Sequence, residues 1–393
     1  MSKTINNQKK FVFNQDKKIA KRINDDLSII QQIILENFNY VESIILAGGF
    51  GRGEGSVLIH EKEVQPINDY DLYVITKFDN QKNLINKVRK QISSIVKIRQ
   101  VDLEVIPIKK LKSLKPTMAN YDLKYASYIF YGNNQILNSI PTIDSQKLSL
   151  KEGRTPLLLY LISIIQSYPF KQEKDLTINE KFWMYQQICK SILGWSTALL
   201  ILEGKYHSSY IEREKIFKSS FKNKEWCQLV ENATNFKVSP HLFIQDNISK
   251  LWNLNKHIHL TILEIFLSKY YSIDFNKLEY PSNWLSIIKK YNNDYENILR
   301  KVYGFASRNK AYNNRIKLTI IEILLLASCK SQESQNKDLV IDSNLFKIAI
   351  KEINKFDRSK KIENNWESAI KFCIDNDPNC NIWKEKGTSV FYN

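Results

Sequence analysis

The sequence predicts an α+β fold: a small mixed sheet flanked by helices, followed by a large all-helical region. Three observations carry this. The apolar strand Ser43-Ile44-Ile45-Leu46-Ala47 runs straight into the glycine-rich turn Gly48-Gly49-Phe50-Gly51-Arg52-Gly53-Glu54-Gly55. Two further apolar runs, Leu72-Tyr73-Val74-Ile75 and Gln100-Val101-Asp102-Leu103-Glu104-Val105-Ile106, bring acidic residues at alternate positions and are separated by a helical segment. From Leu148 onward the apolar spacing changes to threes and fours, the period of a helix face.

In chain order, residues 1–18 read as a flexible arm, polar and without the apolar stretch of a secretory signal. A small α+β domain is expected over residues 19–135. It opens with a helix from Ile19 to Phe38, whose Ile23, Leu27, Ile30, Ile33 and Ile34 share a face suited to packing on a sheet. The β-rich region runs from Val41 to about Pro107, with a hairpin of Val57–His60 and Glu63–Ile67 and a helix over Asn80–Ile95. Residues 148–280 are expected to form a helical domain, and residues 281–393 a C-terminal helical region, divided near Tyr280-Pro281-Ser282. Lys330 to Lys337 reads as a polar loop.

At 393 residues the chain is long enough for two or three domains, and 43% apolar residues suit a globular protein. Lys and Arg number 58 against 41 Asp and Glu, a formal charge of +17. That balance suits an anionic partner, although no run of basic residues is dense enough to mark a binding stripe. The five cysteines are scattered and never spaced as C-x-x-C, which argues for reduced thiols rather than a disulfide frame or a zinc site. The longest apolar runs are too short to span a bilayer. A cytoplasmic protein with no membrane partner is expected.

The chemistry is concentrated at Asn68-Asp69-Tyr70-Asp71-Leu72. Side chains alternate along a strand, so Asp69 and Asp71 share one face while Tyr70 and Leu72 take the other. Two carboxylates beside a glycine turn can hold a divalent metal, and the turn's N–H groups can meet a polyphosphate. Arg52 is within reach of a phosphate, or pairs with Glu54 and holds the turn; both readings stay open. No Gly-Lys-Ser/Thr makes a Walker loop, and no third glycine completes a dinucleotide fingerprint. Trp183, Trp195, Trp252 and Trp284 sit among apolar residues at helical spacing and are expected in the core. His257 and His259 are two apart on a helix and make poor co-ligands. The loop Lys205-Tyr206-His207-Ser208-Ser209-Tyr210 is either an acceptor-binding element or an ordinary polar aromatic loop.

Strand, Gly-Gly turn, Asp-x-Asp strand and a later acidic strand, over residues 40–108, resemble the DNA polymerase β-like nucleotidyltransferase superfamily. The wording Gly48-Gly49-Phe50-Gly51-Arg52-Gly53-Glu54 resembles the glycine turn of bacterial uridylyltransferases that modify nitrogen-signalling proteins. Gly55 to Ile67 departs from that pattern as an inserted hairpin. The resemblance implies a two-metal enzyme using Mg²⁺, with Mn²⁺ as a substitute, that transfers NMP from an NTP to a hydroxyl and releases pyrophosphate. It implies Asp69 and Asp71 as metal ligands and Asp102 as the third carboxylate, with Glu104 in reserve. It further implies Gly48, Gly49 and Arg52 at the phosphates. Lys190 is a candidate for the triphosphate with Ser191 as helper, or else a lysine at a helix edge. The acceptor, whether small molecule, protein or RNA, is not spelled out, nor is the nucleobase. The alternatives are an inactive basic nucleic-acid or nucleotide-binding module on the same fold, and an enzyme whose product is itself a nucleotide signal.

Overall fold

In the computed structural model of the chain the described residues are 9–60, 63–67, 69–78, 82–240, 247–303, 310–330, 340–357 and 362–377. Residues 1–8 of the expected arm, Asn68, the loop from Ser331 to Lys337 and Cys380 lie outside them.

Helix α1 (Lys17–Asn37) begins where Asp16 caps it, the carboxylate accepting from the Ile19 N–H at 2.8 Å. There follow β1 (Val41–Leu46), a short α2 (Gly48–Arg52), the hairpin β2 (Val57–His60) and β3 (Glu63–Pro66), then β4 (Tyr70–Thr76), α3 (Lys82–Ile95), β5 (Val101–Pro107), α4 (Ile108–Leu111), α5 (Met118–Tyr125) and β6 (Tyr128–Gly132). The remainder is helical: α6 (Leu150–Leu159), α7 (Leu161–Gln166), α8 (Ile178–Leu202), α9 (Tyr210–Ser220), α10 (Lys224–Val238), α11 (Ile248–Tyr271), α12 (Ser282–Tyr303) and α13 (Lys310–Ser328). The two-residue strands β7 (Cys329–Lys330) and β8 (Val340–Ile341) then lead to α14 (Ser343–Phe356) and α15 (Trp366–Asn376). The chain is therefore α+β, a small mixed sheet with helices followed by a large helical region.

The sheet has the order β5-β4-β1-β6. Strand β1 runs antiparallel to β4 and β6, whereas β4 and β5 are parallel and are joined through α3. Tyr70, Leu72, Val74, Val101 and Leu103 share one core with Ile23, Ile30 and Ile34 of α1 and Val88 and Ile92 of α3. Each fully buried side chain of this size contributes about 1.5–3 kcal/mol, so the helix-packed face dictates the pleat. Asp71, Tyr73, Asp102 and Glu104 consequently fall on the opposite face. A slip of one residue in β4 would drive Asp71 into the core.

A buried ion pair pins α1 to this sheet. Asp26 accepts from Arg22 Nε at 3.0 Å and from the Tyr70 hydroxyl at 2.7 Å, and Arg22 also donates to the carbonyls of Val64 and Val96. Burial pushes the Asp26 carboxyl up, while Tyr70 and Arg22 pull it back.

Three organisational expectations change. Residues from Phe11 onward are not a loose arm: Phe11 is fully buried, and its carbonyl accepts from the Gly55 N–H at 3.0 Å. The sheet does not end at Pro107, because Tyr128-Ile129-Phe130-Tyr131-Gly132 adds β6 beside β1. That strand is half-buried throughout and carries no alternation of apolar and polar residues, so it has no period-two signal. Finally, the chain forms two compact units. The first comprises Met1–Ser149 and Glu203–Ile244, and the second Leu150–Leu202 and Gln245–Thr388. The described residues 203–240, placed by the sequence in a helical segment of residues 148–280, fall in the same unit as the sheet.

In the second unit α8 is buried on nearly every face, with Trp195 and Ala198 at zero exposure, as a central helix must be. Trp183, Trp195, Trp252 and Trp284 are all buried, as expected from their spacing. No helix of the described residues is long and apolar enough to cross a membrane.

Candidate metal and nucleotide site

The site is built on the face of β4 and β5 that the helices leave uncovered. Parallel pairing sets Asp71 directly opposite Asp102 and Tyr73 opposite Glu104. Asp69 lies just ahead of β4, and one oxygen from each of Asp69, Asp71 and Asp102 falls within 4.8 Å of the others. Glu104 is exposed, one pleat further along, and is not part of that group. A cleft of about 380 Å³ opens over these residues, lined by Asp71, Tyr73, Arg89, Asp102 and Glu104 among others.

The glycine turn acts on the carboxylates directly. It is folded as α2, which starts at the end of β1, with the Gly51 N–H closing onto the Ala47 carbonyl at 2.9 Å. The first-turn N–H groups of such a helix have no helical acceptors. Gly48 has φ +60, and a Cβ there would sit 1.7 Å from Asp71 Oδ2. The absence of a side chain at Gly48 therefore makes the space that Asp71 occupies. The Ala47 N–H, donating to the Asp71 carbonyl at 2.8 Å, holds the two segments in register.

The electrostatics follow from this crowding. Burial, then the adjacent Asp69 and Asp102 carboxylates, push the Asp71 carboxyl up to about 8, against the pull of Arg52 and Lys237. Burial, with Glu104 and Asp71 beside it, holds the Tyr73 phenol well above its usual range, so it remains a proton donor at neutral pH. Three hard oxygen donors suit Mg²⁺ or Mn²⁺. Burial and the neighbouring carboxylates together disfavour the charged form of Asp71, and a divalent cation would favour it.

Arg52 occupies the second of its two expected positions. Its Nε donates to Glu54 at 3.2 Å, its Nη1 to Asp122 at 3.4 Å, and its guanidinium lies 4.9 Å from the Tyr210 ring centre. Glu54 in turn accepts from Ser209 Oγ at 2.6 Å and from the Tyr210 and Ile211 N–H groups at 2.9 and 3.2 Å, which caps α9. Tyr206 donates to Asp122 at 2.9 Å. The loop 205–210 is thus what fastens the stretch 203–244 to the glycine turn. Sequence reasoning missed this buttress, because an Arg-x-Glu within a glycine run does not name its remote partners. Burial pushes the Tyr210 phenol up, but Lys237, Arg213 and Arg52 together outweigh it and bring it below its usual range.

Lys190 and Ser191 belong to the second unit. Ser191 has zero exposure and is engaged with His259 Nδ1 at 2.8 Å and Asn255 Nδ2 at 3.1 Å. That hydroxyl is part of a core network, which does not suit the triphosphate contact expected of it. Lys190 beside it is half-buried.

No family model and no curated protein sequence matches this chain. Among solved structures, it is similar to the crystal structure of a spectinomycin adenyltransferase from Enterococcus faecialis with ATP and spectinomycin, at 12% identity and a TM-score of 0.38. The likeness covers 60% of this chain and 98% of that one.

Proposed function

We propose that this chain is a nucleotidyltransferase that uses Mg²⁺ or Mn²⁺ to transfer NMP from an NTP to a hydroxyl of an acceptor, releasing pyrophosphate. The observation that carries this reading is the register of β4 on β5. It sets Asp71 against Asp102 with Asp69 alongside, on the sheet face turned away from the core. Asp69 and Asp71 would hold the cation, and Asp102 would complete its ligands. Divalent cations held by these carboxylates would supply positive charge to the triphosphate and to the displacement at phosphorus. Asp102, 47% exposed, would raise the nucleophilicity of the acceptor hydroxyl through the cation it helps to hold. Gly48 and Gly49 would offer backbone N–H groups of the first turn of α2 to phosphate oxygens beside Asp71. Arg52 acts from behind, lending positive charge to Asp71 while it stays bound to Glu54 and Asp122.

The test is incubation of the purified chain with each α-labelled NTP and Mg²⁺ or Mn²⁺, followed by detection of pyrophosphate and of labelled product. Pyrophosphate release by the wild type that is abolished in Asp69→Ala/Asp71→Ala is the expected result. Equal release by the two proteins overturns the assignment. Salt-sensitive binding to RNA or DNA with no metal-dependent nucleotide affinity would favour the binding-module alternative, which the charge of +17 motivates.

A further inference from the structure

The two oxygens of Asp102 are treated unequally. Oδ1 accepts from Arg89 Nη2 at 3.0 Å and from Gln100 Nε2 at 2.9 Å. The same guanidinium donates through Nε to the Val101 carbonyl at 2.9 Å, so Arg89 grips both the backbone of β5 and the carboxylate that follows it. Oδ2 takes no such donor among the described residues.

Arg89 stands on α3, the helix whose Val88 and Ile92 are fully buried on the far side of the sheet, so its position is set by core packing. Asp102 is half-exposed and faces two other carboxylates. Repulsion alone favours a rotamer that swings it into solvent. As a stability element the pair is worth little, since 37% and 47% of the two side chains remain exposed. Its value lies in orientation: Arg89 bridges the Val101 carbonyl and Asp102 Oδ1, Gln100 meets the same oxygen, and the other oxygen is left for another partner.

We infer that Arg89, assisted by Gln100, is the positioning residue of the cation site: it holds Asp102 by Oδ1 so that Oδ2 completes the ligand set with Asp69 and Asp71. This rests on the cation-dependent reading above. The opposite role is a plain competitor, a cation that occupies Asp102 and must be displaced by the metal. The two roles differ in sign. Removing a competitor tightens metal binding. Removing a positioning residue weakens it, even though a like charge has gone.

The experiment measures Mn²⁺ binding to the full chain by calorimetry and by electron paramagnetic resonance, together with kcat and KM for the NTP. It compares the wild type with Arg89→Met, Arg89→Lys, Gln100→Leu and Asp69→Asn. The expected result is Mn²⁺ binding about 10–100-fold weaker in Arg89→Met, with kcat reduced in parallel and KM for the NTP within about threefold. Arg89→Lys, which keeps the charge but not the fork, should fall between. Equal or tighter Mn²⁺ binding in Arg89→Met overturns the inference, as does a kcat loss without a change in Mn²⁺ affinity. If Arg89→Met does not fold by circular dichroism, Arg89→Lys and Gln100→Leu decide by the same criteria. A wild type whose Mn²⁺ binding equals that of Asp69→Asn removes the cation site itself, a failure distinct from that of Arg89 alone.

Discussion

The polar cluster on β4 and β5 and the one in the core of the second unit are built from similar chemistry and have opposite character. In the second unit every named group has a partner. Ser191 lies 2.8 Å from His259 Nδ1, and the His259 Nε2 lies 2.8 Å from the Leu157 carbonyl. Trp195 Nε1 donates to Asn255 Oδ1 at 3.1 Å, and Asn255 Nδ2 to Ser191 at 3.1 Å. Nearby in sequence, Arg315 pairs with Glu322 and Asp377 in the same satisfied manner. On the sheet, by contrast, three carboxylates crowd one another beside a cleft, with Arg89 and Gln100 on Asp102 Oδ1. A network of neutral partners fixes a helix packing. A crowd of like charges beside a cleft is the arrangement that favours a cation.

The largest effect should come from the carboxylate cluster. Asp71→Asn is expected to lower nucleotidyl transfer by on the order of a thousandfold or more while raising the thermal midpoint of the metal-free protein, because it removes a carboxylate the fold disfavours. The pH dependence follows from the sign of the shift. With its pKa near 8 against 3.8 in the unfolded chain, Asp71 holds a proton in the native state that the unfolded state has released. Its contribution to stability therefore declines between about pH 4 and pH 8. A cation that replaces that proton should raise the midpoint more at pH 8 than at pH 6, and Asp71→Asn should erase the difference. A mutant midpoint below that of the wild type would break the contrast.

Gly48→Ala comes next. Its Cβ would overlap Asp71 Oδ2, and the left-handed backbone adds strain of about 1–3 kcal/mol. Loss of Mn²⁺ binding with the fold retained by circular dichroism is the expected outcome; unimpaired Mn²⁺ binding would show that Asp71 does not need that space.

The satisfied cluster should behave in reverse. Burial holds the His259 ring down to about 4, below its usual 6.5, so it is neutral in the fold. Its contribution to stability is complete above pH 6.5 and is lost as pH falls through 4, a change on the order of 3 kcal/mol. His259→Gln should flatten that slope in denaturant titrations, lower stability at pH 7 by about 1–3 kcal/mol, and leave Mn²⁺ affinity unchanged. A steep slope surviving in the mutant would remove His259 as its source.

The smallest effect belongs to the buttress. Glu54→Gln keeps the shape of the α9 cap and loses its charge, at a cost of about 1 kcal/mol measured by urea unfolding. A loss several times larger would mean that Glu54 does more than anchor α9.

Much of the site was legible in the sequence because it depends on local rules. Alternation along a strand put Asp69 and Asp71 on one face, and the apolar partners Tyr70, Leu72 and Val74 identified the other. Asp102 was named because Val101-Asp102-Leu103 has the flanking pattern of the superfamily the sequence resembles. What could not be read was the residue opposite Asp71, since Asp102 and Glu104 share a face and only the register of β4 on β5 separates them. Arg52 carried two equally good local explanations, and its remote partners Asp122 and Tyr210 decided between them. Ser191 was named beside Lys190 only through the resemblance, at the start of an apolar helical segment, and α8 is buried almost all round.

By itself the sequence determined the α+β class, the acidic pair on one strand face, the core tryptophans and the position of the glycine turn. Each of these follows from interactions within a few residues, where spacing and burial periodicity are sufficient. Only the tertiary structure decided that Gly48 makes room for Asp71, that Arg89 holds Asp102, and that residues 203–244 complete the sheet unit. Those are contacts between segments distant in the chain. Their geometry is set by how the sheet and helices pack, and no local pattern of residues encodes it.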